Sequence, residues 1–85
     1  MYIPIHFYIY PTPISSNAFV AWNHLYDGQL YFILFNAIGQ QIWQSNTNMA
    51  KYSAEIPMKN LPRGIYYLQI KDEKGTTVVE KIVKN

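Results

Sequence analysis

An antiparallel β-sandwich of about seven strands is the architecture this sequence predicts, and three observations carry it. Apolar residues recur at period two rather than at the helical period, strand-favouring aromatic and β-branched residues are abundant, and turn-forming residues punctuate the chain roughly every 10–12 residues. Hydrophobic residues make up 49% of the chain and aromatics 16%, with eight tyrosines, a composition that suits pleated, half-buried sheets. No internal repeat, low-complexity run or linker divides the 85 residues, so residues 1–85 are expected to form a single all-β domain.

Each element follows from its own residues. In YIPIHFYIY, residues 2–10, Ile3, Ile5, Phe7 and Ile9 share one face and Pro4, His6, Tyr8 and Tyr10 the other. That is the pattern of a half-buried strand, and Pro4 places it at a sheet edge. Pro11 and Pro13 stop the strand and redirect the chain. AFVAW, residues 18–22, reads as a short second strand. Asp27-Gly28 is a strong hairpin signal, because both central positions of a type I′ turn take positive φ. It is expected to lead into QLYFILFN, residues 29–36, which is apolar on both faces and therefore central.

AIGQ, residues 37–40, turns the chain with Gly39 as the positive-φ residue, and QIWQS, 41–45, returns. Polar NTN, 46–48, is expected to be a loop. In AKYSAEI, Ala50, Tyr52, Ala54 and Ile56 alternate with Lys51, Ser53 and Glu55, so the first set is expected to face inward. LPRG, 61–64, turns into IYYLQIK, with Gly64 again at positive φ. DEKG, 72–75, suits a hairpin loop with Gly75 in a left-handed position, and TTVVEKIVK closes the sequence.

A chain of this length buries only about 60–65% of its unfolded surface, so the core is small. Without cysteine, neither disulfides nor thiolate metal sites reinforce it. The net charge of +2 is too small for nucleic-acid binding, which calls for a dense basic stripe. Its distribution is uneven: residues 1–50 carry only Asp27, whereas residues 51–85 hold all seven basic residues and four acids. No apolar run is long enough for a transmembrane helix. The opening MYIPIHFYIY lacks a basic n-region and a small-residue cleavage site and does not read as a signal peptide, so the export signal of an exported protein would lie elsewhere.

Catalytic chemistry finds little material. His6 and His24 are separated, and a His24–Asp27 pair has no serine in a nucleophile-elbow context among Ser15, Ser16, Ser45 and Ser53. Two histidines and scattered acids do not supply a metal site, DEKG lacks the ligand spacing of a calcium loop, and the glycines form no phosphate cradle. No cofactor is expected. The aromatics Tyr8, Tyr10, Tyr31, Trp22 and Trp43 admit two readings, an exposed platform that stacks on sugar rings or a set that fills the core and covers the sheets.

Four stretches in order are more specific than any one of them. IYPTP at 9–13, FNAIGQQIW at 35–43, LPRGIYYLQI at 61–70 and KIVK at 81–84 resemble the C-terminal sorting domain of type IX secretion cargo. That family typically opens on Tyr-Pro-Asn-Pro. An Asn-x-x-Gly-Gln turn, Leu-x-x-Gly-Ile-Tyr and a terminal Lys-Ile-Val-Lys follow. Thr12 stands where asparagine is usual, and threonine makes the local side-chain to backbone bond more weakly.

The resemblance implies an immunoglobulin-like sandwich at the end of a larger exported protein. With MYIPIHF ahead of the matching region and Met1 at its start, the chain is expected to be a fragment or a small stand-alone relative. It further implies a non-enzymatic module that passes through the periplasm and is read by an outer-membrane translocon. A sortase-like peptidase then cleaves it or anchors the cargo at the cell surface. Two residue sets are singled out. Pro11, Pro13, Gly39, Gly64 and Gly75 set turn geometry. Lys81, Ile82, Val83 and Lys84 form the terminal element offered for recognition. Lys71, Lys74, Lys81 and Lys84 would discourage self-pairing of a strand edge and suit an acidic receptor. The rival function is a glycan-binding or adhesion sandwich built on the aromatic platform.

Overall fold

The structure, a computed structural model, describes residues 6–23, 28–48 and 51–85. Among these residues seven strands form and no α-helix does: β1 Phe7–Tyr10, β2 Ala18–Trp22, β3 Gln29–Asn36, β4 Gln41–Asn48, β5 Ser53–Ile56, β6 Gly64–Asp72 and β7 Thr77–Lys84. They make a three-stranded sheet in the order β1-β2-β5 and a four-stranded sheet in the order β4-β3-β6-β7, with every strand pair antiparallel. In immunoglobulin lettering this is A-B-E against C′-C-F-G, the topology expected of an immunoglobulin-like sandwich.

Period-two patterning explains which side chains meet between the sheets. Ala18, Val20 and Trp22 of β2 face Leu30, Phe32 and Leu34 of β3 and Tyr66, Leu68 and Ile70 of β6, all buried. Phe7 and Ile9 of β1 pack against this core from the edge, so the alternation read there holds for the described part of the strand. Trp22 joins the two layers, with its ring centroid 6.4 Å from Phe7 and 6.3 Å from Phe32.

Between β1 and β2, which pair in the same sheet, the chain crosses briefly to the edge of the other. After Pro11 and Pro13, Ile14 makes a parallel bridge to Lys84, donating its N–H to the Val83 carbonyl at 3.0 Å and accepting from the Asn85 N–H at 2.8 Å. The first strand thus lies on one sheet while its continuation caps the edge of the other. The prolines suit that switch, because neither has an N–H to leave unpaired.

Three expectations change. Asp27-Gly28 does not close a hairpin, since β2 and β3 belong to different sheets; Gly28 has φ 143°, while His24 and Asp27 lie outside the described residues. Residues 46–48 are not a loop: they continue β4, pairing Asn46 with Tyr31, Thr47 with Leu30 and Asn48 with Gln29. Tyr52 does not face inward. It has φ 67° and is 56% exposed, with β5 starting one residue later, although Ala54 is half-buried and Ile56 fully buried. The long first strand is described only from Phe7, and residues 1–5 and Ala50 lie outside the described residues.

Candidate recognition surface

β7 forms one edge of the four-stranded sheet and brings the terminal Lys81–Lys84 element with it. Its side chains alternate. Lys81 and Val83 stand on the outer face, whereas Ile82 is 2% exposed and Lys84 is 5% exposed. The sequence placed all four in one recognition element; the fold separates them into an outward pair and an inward pair.

Lys84 has a structural role of its own. Its ammonium donates to the Leu61 carbonyl at 3.0 Å and reaches the Lys59 carbonyl at 3.5 Å. Charge-assisted bonds of this kind compensate an ammonium for lost water. They tie the end of the chain to the loop between β5 and β6. The same loop is held from a second side by Asn17, whose Oδ1 accepts from the N–H groups of Met58 at 3.0 Å and Lys59 at 2.9 Å. A third tie comes from Tyr66, whose hydroxyl donates to the Pro62 carbonyl at 2.5 Å. A tyrosine near the start of strand F bonded back to the preceding corner is a hallmark of immunoglobulin-like sandwiches. Leu-Pro-Arg-Gly-Ile-Tyr is therefore a corner motif. Gly64, at φ 152°, opens β6 in a region that costs a side chain roughly 1–2 kcal/mol.

The β3–β4 and β6–β7 loops, at opposite ends of the four-stranded sheet, share one geometry. Asn36 Oδ1 accepts from the Ile38 and Gln40 N–H groups at 3.2 and 2.9 Å, and its main-chain carbonyl accepts from the Gly39 N–H at 3.0 Å. Asp72 Oδ1 accepts from Lys74 and Thr76 at 2.9 Å each, and its carbonyl accepts from Gly75 at 3.2 Å. Gly39 and Gly75 have nearly equal φ, 86° and 90°. The sequence reading found the glycines but missed that Asn36-x-x-Gly39 and Asp72-x-x-Gly75 are the same loop; the shared spacing of a short polar residue and a glycine was the available signal.

Beside β7, Ile9, Thr12 and Pro13 face Glu80, Lys81, Ile82 and Val83 across an open groove of about 540 Å³. Val83 spends its outward carbonyl on Ile14, and the antiparallel alternation points the Lys81 and Val79 backbone groups to that same open side.

The aromatic platform does not assemble. Trp22 is buried and Trp43 packs partly buried against the core opposite Leu34. Tyr8 and Tyr10 are exposed on the three-stranded sheet and Tyr31 on the four-stranded one, so they do not share a face. Tyr10 stacks on Phe19, with centroids 5.6 Å apart. Among the described residues no three His, Cys, Asp or Glu side chains are grouped to hold a metal ion, and no helix is long and apolar enough to cross a membrane.

With this geometry in view, the sequence matches the family described as the secretion system C-terminal sorting domain over residues 8–85. The chain belongs to that family. The match runs from the strand before the proline switch to the last residue, so it includes the corner, both Asx-x-x-Gly loops and the terminal strand. No curated protein matches the sequence. Among solved structures, the fold resembles the crystal structure of dimeric latent PorU from Porphyromonas gingivalis, with a TM-score of 0.70 at 12% identity, covering 98% of this chain and 10% of that one. The chain thus spans about a tenth of the length of that protein, and the likeness is one of fold. Family membership gives the domain a C-terminal sorting role in type IX secretion, the role of a signal module.

Proposed function

We propose that this domain is a non-enzymatic address that carries a larger exported protein through the periplasm to the outer-membrane translocon of the type IX system. A sortase-like peptidase then cleaves it there or anchors the cargo at the cell surface. The family match over residues 8–85 carries this reading. The geometry supports it in a specific way. A portable signal must fold alone and present the same surface on unrelated cargo. Here one compact sandwich presents its last strand, β7, at a sheet edge. Main-chain groups on such an edge pair with a receptor strand whatever the cargo.

Within the terminal element, the readable part is the outward pair Lys81 and Val83 together with the open backbone at Lys81 and Val79. Ile82 and Lys84 hold that surface in place. Pro11, Pro13, Gly39, Gly64 and Gly75 shape the strand ends that deliver it.

The test is a periplasm-directed reporter fused to this domain in a bacterium with the secretion system. Lys81→Glu reverses an exposed charge and should change stability by no more than about 0.5 kcal/mol. The expected result is a folded reporter that accumulates in the periplasm while the unaltered fusion reaches the surface. Normal delivery of a folded Lys81→Glu, Val83→Asp fusion would remove those side chains from the address.

A further inference from the structure

Sheet edges must be guarded against pairing with other chains, by shortness, proline, lysine, inward charge or a covering segment. Three of the four edges of this sandwich are guarded. β1 and β5 have four residues each, and Pro11 follows β1 directly. β7 carries Lys81, places Glu80 toward the groove and is capped at its end by Ile14.

Among the described residues β4 has none of these protections. It runs for eight residues, Gln-Ile-Trp-Gln-Ser-Asn-Thr-Asn, without a charge or a proline, and is exposed or half-buried throughout. At about 3.4 Å per residue it offers some 27 Å of edge. Its register against β3 shifts only between Leu34 and Phe35, so Trp43 to Asn48 form a regular run. Asn36 donates its N–H to Gln40, which aims the even-numbered residues of β3 at β4. Backbone alternation then turns Trp43, Ser45 and Thr47 toward β3 and points the N–H and C=O groups of Gln44 and Asn46 to the open side.

We propose that β4 is a self-complementary docking edge through which a second copy of this chain pairs, antiparallel about Ser45, joining two four-stranded sheets into one. The register favours a second copy. Centring the two-fold on Ser45 sets Gln44 of each copy opposite Asn46 of the other, and these are the residues whose backbone groups point outward. Gln44 and Asn46 then meet amide to amide, Trp43 meets Thr47, and Ser45 meets Ser45, so no charge is opposed. The same operation on β7 sets Glu80 against Glu80 or Lys81 against Lys81. Such an isologous contact closes on itself and stops at a dimer. The domain's net charge of +2 adds little repulsion between copies. This inference stands on the edge geometry and is independent of the sorting reading.

Sedimentation equilibrium of the 85-residue chain, over micromolar to near-millimolar concentration, tests it. A monomer–dimer equilibrium is expected. The double variants Gln44→Lys, Asn46→Lys and Gln44→Glu, Asn46→Glu each bring like charges together and should weaken association by about tenfold or more. Both positions are exposed, so circular dichroism should show unchanged folds. Mixing the two variants in equal amounts opposes unlike charges and should restore the dimer. A wild-type chain that stays monomeric across the range, a dimer unaffected by both variants, or a mixture that does not associate would each overturn the proposal.

Discussion

Lys84 aims its ammonium at the carbonyls of Lys59 and Leu61 from a position that is 5% exposed. Removing the charge while keeping the volume, as in Lys84→Met, leaves those carbonyls without their donor; a buried polar group left unsatisfied costs about 1–3 kcal/mol. Lys84→Glu sets a carboxylate against the same oxygens and should cost more. Lys81→Glu, three residues away and exposed, should be close to neutral. Urea midpoints should therefore fall in the order Lys81→Glu, Lys84→Met, Lys84→Glu, from nearly unchanged to strongly lowered. Equal midpoints for Lys81→Glu and Lys84→Glu would mean that the terminal ammonium bears no load. The sequence could not separate the two lysines by chemistry. Strand alternation does separate them, since Lys81 and Lys84 stand three apart and must face opposite sides.

At the scale of elements, the two hairpin loops differ in sequence and agree in mechanism. In each, one side-chain oxygen substitutes for a backbone acceptor and bonds the N–H groups two and four residues on. Asn36→Ala and Asp72→Ala should each cost about 1–2 kcal/mol, the range of lost local caps, whereas Asn36→Asp keeps the acceptor and should cost less. Thermal unfolding of the three variants checks this ranking; an Asn36→Ala protein as stable as the parent would assign the turn to Gly39 alone. Loops of this kind are legible because their bonds are local. β3 was equally legible as an interior strand, flanked by β4 and β6, although only one of its faces is buried: Leu30, Phe32 and Leu34 point into the core and Tyr31 is exposed. The end of β4 is illegible for a different reason: at an edge where no side chain is fully buried, little demands alternation, and Asn46-Thr47-Asn48 looks like a loop while pairing as a strand. Asp27-Gly28 misled because turn chemistry reports a bend and is silent about which sheet the next strand joins.

For the whole molecule, what the alternation leaves open is how one layer is bound to the other. That job falls to a few residues: Ile14 at the C-terminal edge, Trp22 between Phe7 and Phe32, and the corner where Tyr66 and Lys84 meet the β5–β6 loop. At about 0.05–0.15 kcal/mol per residue, a domain of this size has a total stability on the order of 4–13 kcal/mol. Neither sheet has a second layer to bury its inner face if the other departs, so the two should unfold together. Far-UV circular dichroism follows the strands, and Trp22 fluorescence, isolated in a Trp43→Phe background, follows the contact between layers. The two signals should give one coincident urea transition. Leu34 is fully buried at the centre of the larger sheet, and Leu34→Ala should cost about 2–5 kcal/mol. That loss should move both probes by the same amount. A tryptophan transition that precedes the loss of strand signal would show the layers parting first, with the four-stranded sheet surviving without its smaller partner.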